Sequence, residues 1–121
     1  EMLIQDDCST DNSFDIALEY AKEYNVTVVL KSASTVVASP KGDVRIITSG
    51  CSSMAKGGSG DMLSGMIGSL LAQGMSAELA AVCGVYLHGA AGDLAASKSS
   101  KRGITPSDMV RILPELLSDY E

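Results

Sequence analysis

Ala55-Lys-Gly-Gly-Ser-Gly-Asp61 runs without interruption into Met62-Leu-Ser-Gly-Met-Ile-Gly-Ser-Leu-Leu71. Met62, Leu63, Met66, Ile67, Leu70 and Leu71 recur at the three- and four-residue spacing of one helical face, so the reading is a loop of small residues over 49–59 and a helix from Gly60, ended by Gly74. Glycines at a helix start leave its unsatisfied N–H groups open to a ligand, and the helix dipole favours negative charge there. The turn is therefore a candidate phosphate or oxyanion cradle. Asp61 stands in the first turn, which the dipole favours for a carboxylate, beside the place an anion would occupy. A carboxylate there suits a general base that takes a proton from a hydroxyl gaining or losing a phosphoryl group. Taken alone, the pattern fits a flexible turn with a favourable first-turn charge equally well. It is not a Walker A loop, because Lys56 precedes the glycines, nor a G-x-G-x-x-G following a strand.

Outward from this stretch the chain reads as α/β. Val26-Thr-Val-Val-Leu30 is a β-branched run with the pattern of a strand buried on both faces, and Lys31 sits at its C-terminal end. Thr35-Val-Val-Ala-Ser39 and Val44-Arg-Ile-Ile-Thr48 flank Pro40-Lys-Gly-Asp43 and predict an antiparallel hairpin. Before them, a helix over 14–24, capped by Asn12 or Ser13 and closed by Asn25, directs Phe14, Ala17, Leu18, Ala21 and Tyr24 to one buried face. Residues 1–11 read as polar and irregular. Downstream, Ser76 caps a helix over 77–97 that is apolar almost all round, and Gly84, Gly89 and Gly92 on it admit a close neighbour. That helix is expected between layers. Thr105-Pro106 opens a last helix, with Asp108 near its positive end and a bend at Pro114. Residues 1–121 read as one domain without repeats or an internal boundary.

Composition narrows the class. The 121 residues carry 9 Lys+Arg against 15 Asp+Glu, a net charge of −6, with a pI near 4.6. There is no basic stripe for nucleic acid or an anionic membrane. From Asp61 to Asp93 there are three carboxylates (Asp61, Glu78, Asp93) and no Lys or Arg, which marks the middle as core. The uncharged runs 62–77 and 79–92 read as short of a membrane span. No basic region precedes an apolar stretch as in a targeting segment, although the first residue is Glu1 and a truncated or processed start is expected. Cys8, Cys51 and Cys83 are an odd number without CxxC spacing, so neither a disulfide framework nor a zinc site is indicated, and the reducing cytoplasm is the expected setting.

Three further segments complete a pattern: Val28-Val-Leu-Lys-Ser-Ala-Ser-Thr-Val-Val-Ala-Ser-Pro40, Leu71-Ala-Gln-Gly74, and Gly84-Val-Tyr-Leu-His-Gly-Ala-Ala-Gly-Asp93. With Met54–Gly65 they follow one another as in the ADP/ATP-dependent NAD(P)H-hydrate dehydratases, and from about residue 12 the chain resembles the C-terminal portion of that ribokinase-like family. The resemblance implies a partial ribokinase-like domain whose sheet carries an antiparallel hairpin packed by helices, with the N-terminal portion of the fold absent. It also implies a repair reaction, in which the hydroxyl of hydrated NADH or NADPH is phosphorylated by ADP or ATP and phosphate is eliminated. Carried onto this sequence, Asp61 is the catalytic base touching the hydrated dinucleotide, and Gly57, Gly58, Ser59 and Gly60 hold the phosphate. Lys31, Ser32, Ala33, Ser34 and Thr35 contact the nucleotide. Mg2+ is expected to come with the nucleotide phosphates, since no protein ligand cluster for a metal is evident.

The family usually has Gly after Lys31, and Asn and Gly in the loop before Met54, where this chain has Ser32, Cys51 and Ser53. Each is expected to strain the backbone by about 1 kcal/mol if its φ is positive. His88 reads first as a packed side chain and second as a substrate contact, and Asp93 as a helix-end hydrogen bonder. Cys51 reads as a small loop residue, Lys98, Lys101 and Arg102 as a solvated loop, and Tyr20, Tyr24, Tyr86 and Tyr120 as core or rim packing. A partial fold is expected to be weakly active or inactive alone and to associate, with a second copy or with the missing part. Two other readings stay open: a ribokinase-like kinase of a small alcohol or vitamin precursor, and a non-catalytic nucleotide-binding or assembly fragment.

Overall fold

A computed structural model describes the backbone of Ile4–Gln5 and all of residues 12–121. Cys8 lies outside the described residues. The elements are β1 (Ile4–Gln5), α1 (Ser13–Tyr24), β2 (Val28–Lys31), β3 (Thr35–Ala38), β4 (Val44–Ile47), a 3-10 turn at Ser52–Met54, α2 (Ser59–Ala72), α3 (Ala77–Lys98) and α4 (Pro106–Ser118).

The sheet has the order β1-β2-β3-β4. β3 and β4 form the expected antiparallel hairpin, with Val37 opposite Arg45, and β2 joins it antiparallel, with Val29 opposite Val37. The Pro40–Asp43 turn is closed by the Ser39 N–H on the Asp43 carbonyl and by Gly42, whose φ of 103° only glycine adopts freely. The irregular segment expected at the start is corrected at Ile4–Gln5, which lies parallel to β2 with Ile4 opposite Leu30. Two residues carry no periodicity of their own, so that strand is a product of tertiary pairing.

Side-chain alternation along the strands builds two cores. Val28, Leu30, Val36 and Ala38 face Ala17 and Ala21 of α1. Val29, Val37 and Ile47 face Leu63 and Ile67 of α2 and Ala80, Ala81 and Val85 of α3. β2 and β3 are thus buried on both faces, as the uninterrupted apolar run predicts. A third cluster joins α3 to α4 through Ala91, Ala95, Ile104, Met109 and Leu116.

Helix ends follow the expected chemistry with small corrections. Asn25 ends α1 in the left-handed conformation at φ 52°, but the Asn12 side chain caps nothing at its start. The Ser76 hydroxyl accepts from the Leu79 N–H at the head of α3. Thr105 and Asp108 form a reciprocal capping box with Pro106 in the first turn of α4, and α4 runs through Pro114. Phe14 and Tyr24, expected to be buried, are exposed: α1 buries Ala17 and Ala21 against the sheet, with Tyr20 partly covered beside them.

α3 is 22 residues long, and Glu78 and Asp93 do not interrupt it. By length and composition alone it matches a membrane span, contrary to the short uncharged runs read from the sequence. Its packing is that of a core helix, with ten residues buried against the neighbouring layers, although Leu79 and Tyr86 remain exposed.

Candidate active site

The glycine-rich stretch opens α2 as expected. Gly58 is its N-cap at φ 91°, a conformation that L side chains rarely adopt, and Ser59 begins the helix. The Ser59 N–H is taken by the Lys56 carbonyl and the Met62 N–H by the Gly58 carbonyl. Between them, the N–H groups of Gly60 and Asp61 meet no protein acceptor among the described residues. Asp61 is exposed in this first turn. Two open donors, the helix dipole and a carboxylate at the rim therefore coincide.

These groups face a cleft of about 930 Å³. One wall is the C-terminal end of β2 and the bend after it: Lys31, Ser32, Ala33 and Thr35. The floor is Gly57, Gly58, Gly60 and Asp61, backed by Leu63. The opposite wall is the segment 49–56 with Val85, His88 and Gly89 of α3. Eight of the ten residues singled out in the sequence thus line one cleft. Ser34 does not: its carbonyl accepts from the Ser32 hydroxyl at 2.7 Å. Nor does Ser59, which is buried at 1% exposure and meets His88.

Helix α3 fixes the wall opposite Lys31. Its Gly89 and Gly92 lie so close to the loop that an added Cβ would come within 2.5 Å of the Ser49 carbonyl and 2.3 Å of Met54 Sδ. The Gly50 N–H donates to Asp93 Oδ2 at 2.9 Å and the Ser49 hydroxyl to the Tyr86 carbonyl at 3.2 Å. Asp93 is therefore a loop anchor in the body of α3, where the sequence suggested a helix-end hydrogen bonder. Lys56 ties the floor to the segment before α4, donating to the carbonyls of Arg102, at 2.8 Å, and Ile104.

His88 is 3% exposed, with Nε2 2.9 Å from the Ser59 carbonyl and 3.2 Å from its hydroxyl. Burial lowers its pKa from 6.5, the Ser59 contact opposes that shift, and the nearby Lys31 charge adds to it. The imidazole is neutral at pH 7.

Ser32, Cys51 and Ser53 do not carry the strain anticipated for them. Among the described residues Asn25 is the non-glycine residue at positive φ, and Cys51 is extended at φ −127°. The Ser53 hydroxyl is buried without a partner among the described residues. Of the tyrosines read as core or rim packing, Tyr24, Tyr86 and Tyr120 are exposed at the rim, Tyr24 against the Tyr20 ring and the Tyr86 and Tyr120 hydroxyls 3.0 Å apart. Ser49, Gly50, Ser52, Met54, Ala55 and Lys56 line the cleft without having been singled out for it; the glycines of α3, which do stand out in the sequence, are the signal that a loop approaches there.

The family described as NAD(P)H-hydrate dehydratase matches residues 1–115. The chain belongs to that family. It is 42% identical over 111 residues, 92% of its length, to the bifunctional NAD(P)H-hydrate repair enzyme Nnr of Moorella thermoacetica, but spans 21% of that protein. An ADP-dependent (S)-NAD(P)H-hydrate dehydratase of Neisseria meningitidis is 51% identical over 71 residues, covering 59% of this chain and 24% of the relative. Among solved structures, the ADP/ATP-dependent NAD(P)H-hydrate dehydratase of Bacillus subtilis co-crystallised with ATP/Mg2+ superposes with a TM-score of 0.83 at 34% identity, over 88% of this chain and 39% of that one. A ribokinase-like superfamily protein of Enterococcus faecalis superposes at 0.76 and 31%, over 85% and 35% of the two chains. The dehydratase family and the ribokinase-like fold expected from the sequence both stand.

Proposed function

We propose that this chain carries the anion cradle, the base and part of the nucleotide site of a nucleotide-dependent dehydratase that returns hydrated NADH or NADPH to the working cofactor. The observation that carries the reading is the convergence, in one cleft, of two open N–H groups at the head of α2, the Asp61 carboxylate and the Lys31 strand end. Asp61 takes the proton of the ring hydroxyl as that oxygen attacks the terminal phosphorus of ADP or ATP. The new O–P bond forms as the donor's phosphoanhydride breaks. The C–O bond then breaks, phosphate leaves, and loss of a ring proton restores the double bond. The N–H groups of Gly60 and Asp61 oppose the negative charge gathering on the phosphoryl oxygens. Lys31, as a point charge at a strand's carboxyl end, faces the donor phosphates, with Ser32, Ala33, Ser34 and Thr35 framing the nucleotide.

Among the described residues Asp61 is the one carboxylate lining the cleft, and no group of three or more His, Cys, Asp or Glu could hold a metal ion. That donor set does not fit a protein-bound cation, so Mg2+ belongs with the nucleotide phosphates.

The chain spans between 21% and 40% of the relatives named above and of the solved neighbours. We take it as the C-terminal portion of the fold, its pocket completed by further polypeptide or by a second copy, in a cytoplasmic setting. The free outer edge of β1 among the described residues agrees with a sheet that continues.

The test is NADH appearance from hydrated NADH with ADP or ATP, run beside a panel of small alcohols. Turnover is expected once the fold is completed, and weak or no turnover from this chain alone; in the completed fold Asp61→Asn should lower it at least about 100-fold, the contribution of a positioned base. Preferential phosphorylation of an alcohol would establish the kinase reading instead. Retained turnover in Asp61→Asn would remove the carboxylate from the chemistry.

A further inference from the structure

We propose that His88 is the positioning residue of the anion cradle: from α3 its imidazole pins the first turn of α2 through Ser59, fixing the Gly60 and Asp61 N–H groups where a phosphoryl group is held. The proposal rests on the reading of the cleft given above.

The geometry is specific. A carbonyl oxygen only accepts, so the 2.9 Å contact from the Ser59 carbonyl requires the proton on Nε2. Ser59 is the first residue of α2, buried at 1%, directly before the two open donors. Among the described residues His88 is the one side chain of another element that hydrogen-bonds residues 58–61. The turn it holds contains Gly57, Gly58 and Gly60, which have no side chains to fix their own conformation and are the most costly residues to order. An added Cβ at Gly57 would meet nothing within 4 Å, so packing does not hold that residue either.

The same helix sets the other wall. Gly89, the next residue, packs on the Ser49 backbone, and Asp93, just over one turn on, holds the Gly50 N–H. The separation between cradle and wall is therefore set by one rigid segment, residues 88–93 of α3. The neutral imidazole adds a donor to this frame without a second cation beside Lys31. His88 acts through Ser59 and is not a catalytic residue.

The test compares His88→Leu with His88→Gln, whose amide N–H reaches about as far as Nε2. ADP and adenosine binding are measured by calorimetry, with turnover of hydrated NADH alongside. His88→Leu should weaken ADP on the order of tenfold, the loss of one hydrogen bond's ordering of the cradle, while adenosine, which carries no phosphate, is unaffected. His88→Gln should restore most of the ADP affinity. If His88→Leu does not fold, His88→Asn, with a shorter reach, replaces it with the same expectation. Unchanged ADP affinity, equal weakening of ADP and adenosine, or failure of His88→Gln to restore binding would each overturn the proposal, as would absence of ADP binding by the unaltered protein. The selective pattern without turnover of hydrated NADH by the completed fold would leave His88 in place and overturn the dehydratase reading alone.

Discussion

Replacing Gly89 by Ala tests whether α3 really sets the wall of the cleft. An added Cβ would lie 2.2 Å from Ser49 Oγ, 2.5 Å from the Ser49 carbonyl oxygen and 2.6 Å from its carbon. The hydroxyl can rotate away, at the loss of its bond to the Tyr86 carbonyl, but the carbonyl is backbone. The loop must retreat by about 1 Å to reach an ordinary van der Waals separation. Overpacking of this kind destabilises by about 1–3 kcal/mol, and the better helix propensity of Ala returns about 1 kcal/mol of it. Displacing the loop also loosens the Gly50–Asp93 hydrogen bond, worth about 1 kcal/mol. The net expectation is a loss of about 1–2 kcal/mol, a fall in Tm of roughly 3–10 °C for a chain of this size. Gly68→Ala is the matched control: it lies within α2, an added Cβ there meets nothing within 4 Å, and it should stabilise by about 0.5–1 kcal/mol. Thermal and urea unfolding followed by circular dichroism read both, and ADP affinity should fall only in Gly89→Ala. A Gly89→Ala protein that melts with or above Gly68→Ala would refute the close packing of α3 on the loop.

Two other outcomes follow from the caps and the buried histidine. Thr105→Ala removes the acceptor of the Asp108 N–H, 3.3 Å away, and the hydroxyl that donates to Asp108 Oδ2 at 2.8 Å; it should cost about 1 kcal/mol, seen as a lower urea midpoint, and an unchanged midpoint would show the capping box to be idle. For His88 the folded pKa lies below 6.5, so as pH drops under 6.5 the unfolded chain takes up a proton that the folded chain refuses. Stability is therefore complete above 6.5 and declines from there down to the folded pKa; His88→Gln should flatten the Tm–pH curve in that window, and an equal slope in both proteins would contradict burial of a neutral imidazole. Asp108, also depressed, first by the Thr105 hydroxyl, acts in the same direction but only below about pH 3.8, so it adds nothing to the slope just under pH 6.5.

What was legible in the sequence and what was not divides along a physical line. β2 was readable because a strand buried on both faces must be apolar throughout, and the hairpin because the turn between β3 and β4 names itself through Pro40 and Gly42. β1 was not, since a two-residue parallel strand is specified by its partner. Periodicity placed Phe14 and Tyr24 on one face of α1, yet a face is buried only as far as another layer reaches, and here the sheet covers Ala17 and Ala21 fully and Tyr20 in part. The site shows the same division more sharply. Its donors are backbone N–H groups, so glycines and the first-turn Asp61 announce them locally. What holds those glycines still is 29 residues away in His88, and what holds the facing loop is 43 residues away in Asp93. A cradle made of backbone has no side chains with which to fix its own shape. The residues that fix it must then lie on another element and look structural, as His88 does in an apolar helix. Its hydrogen bond to Ser59, more than any of the glycines, is what turns a flexible turn into a candidate anion site.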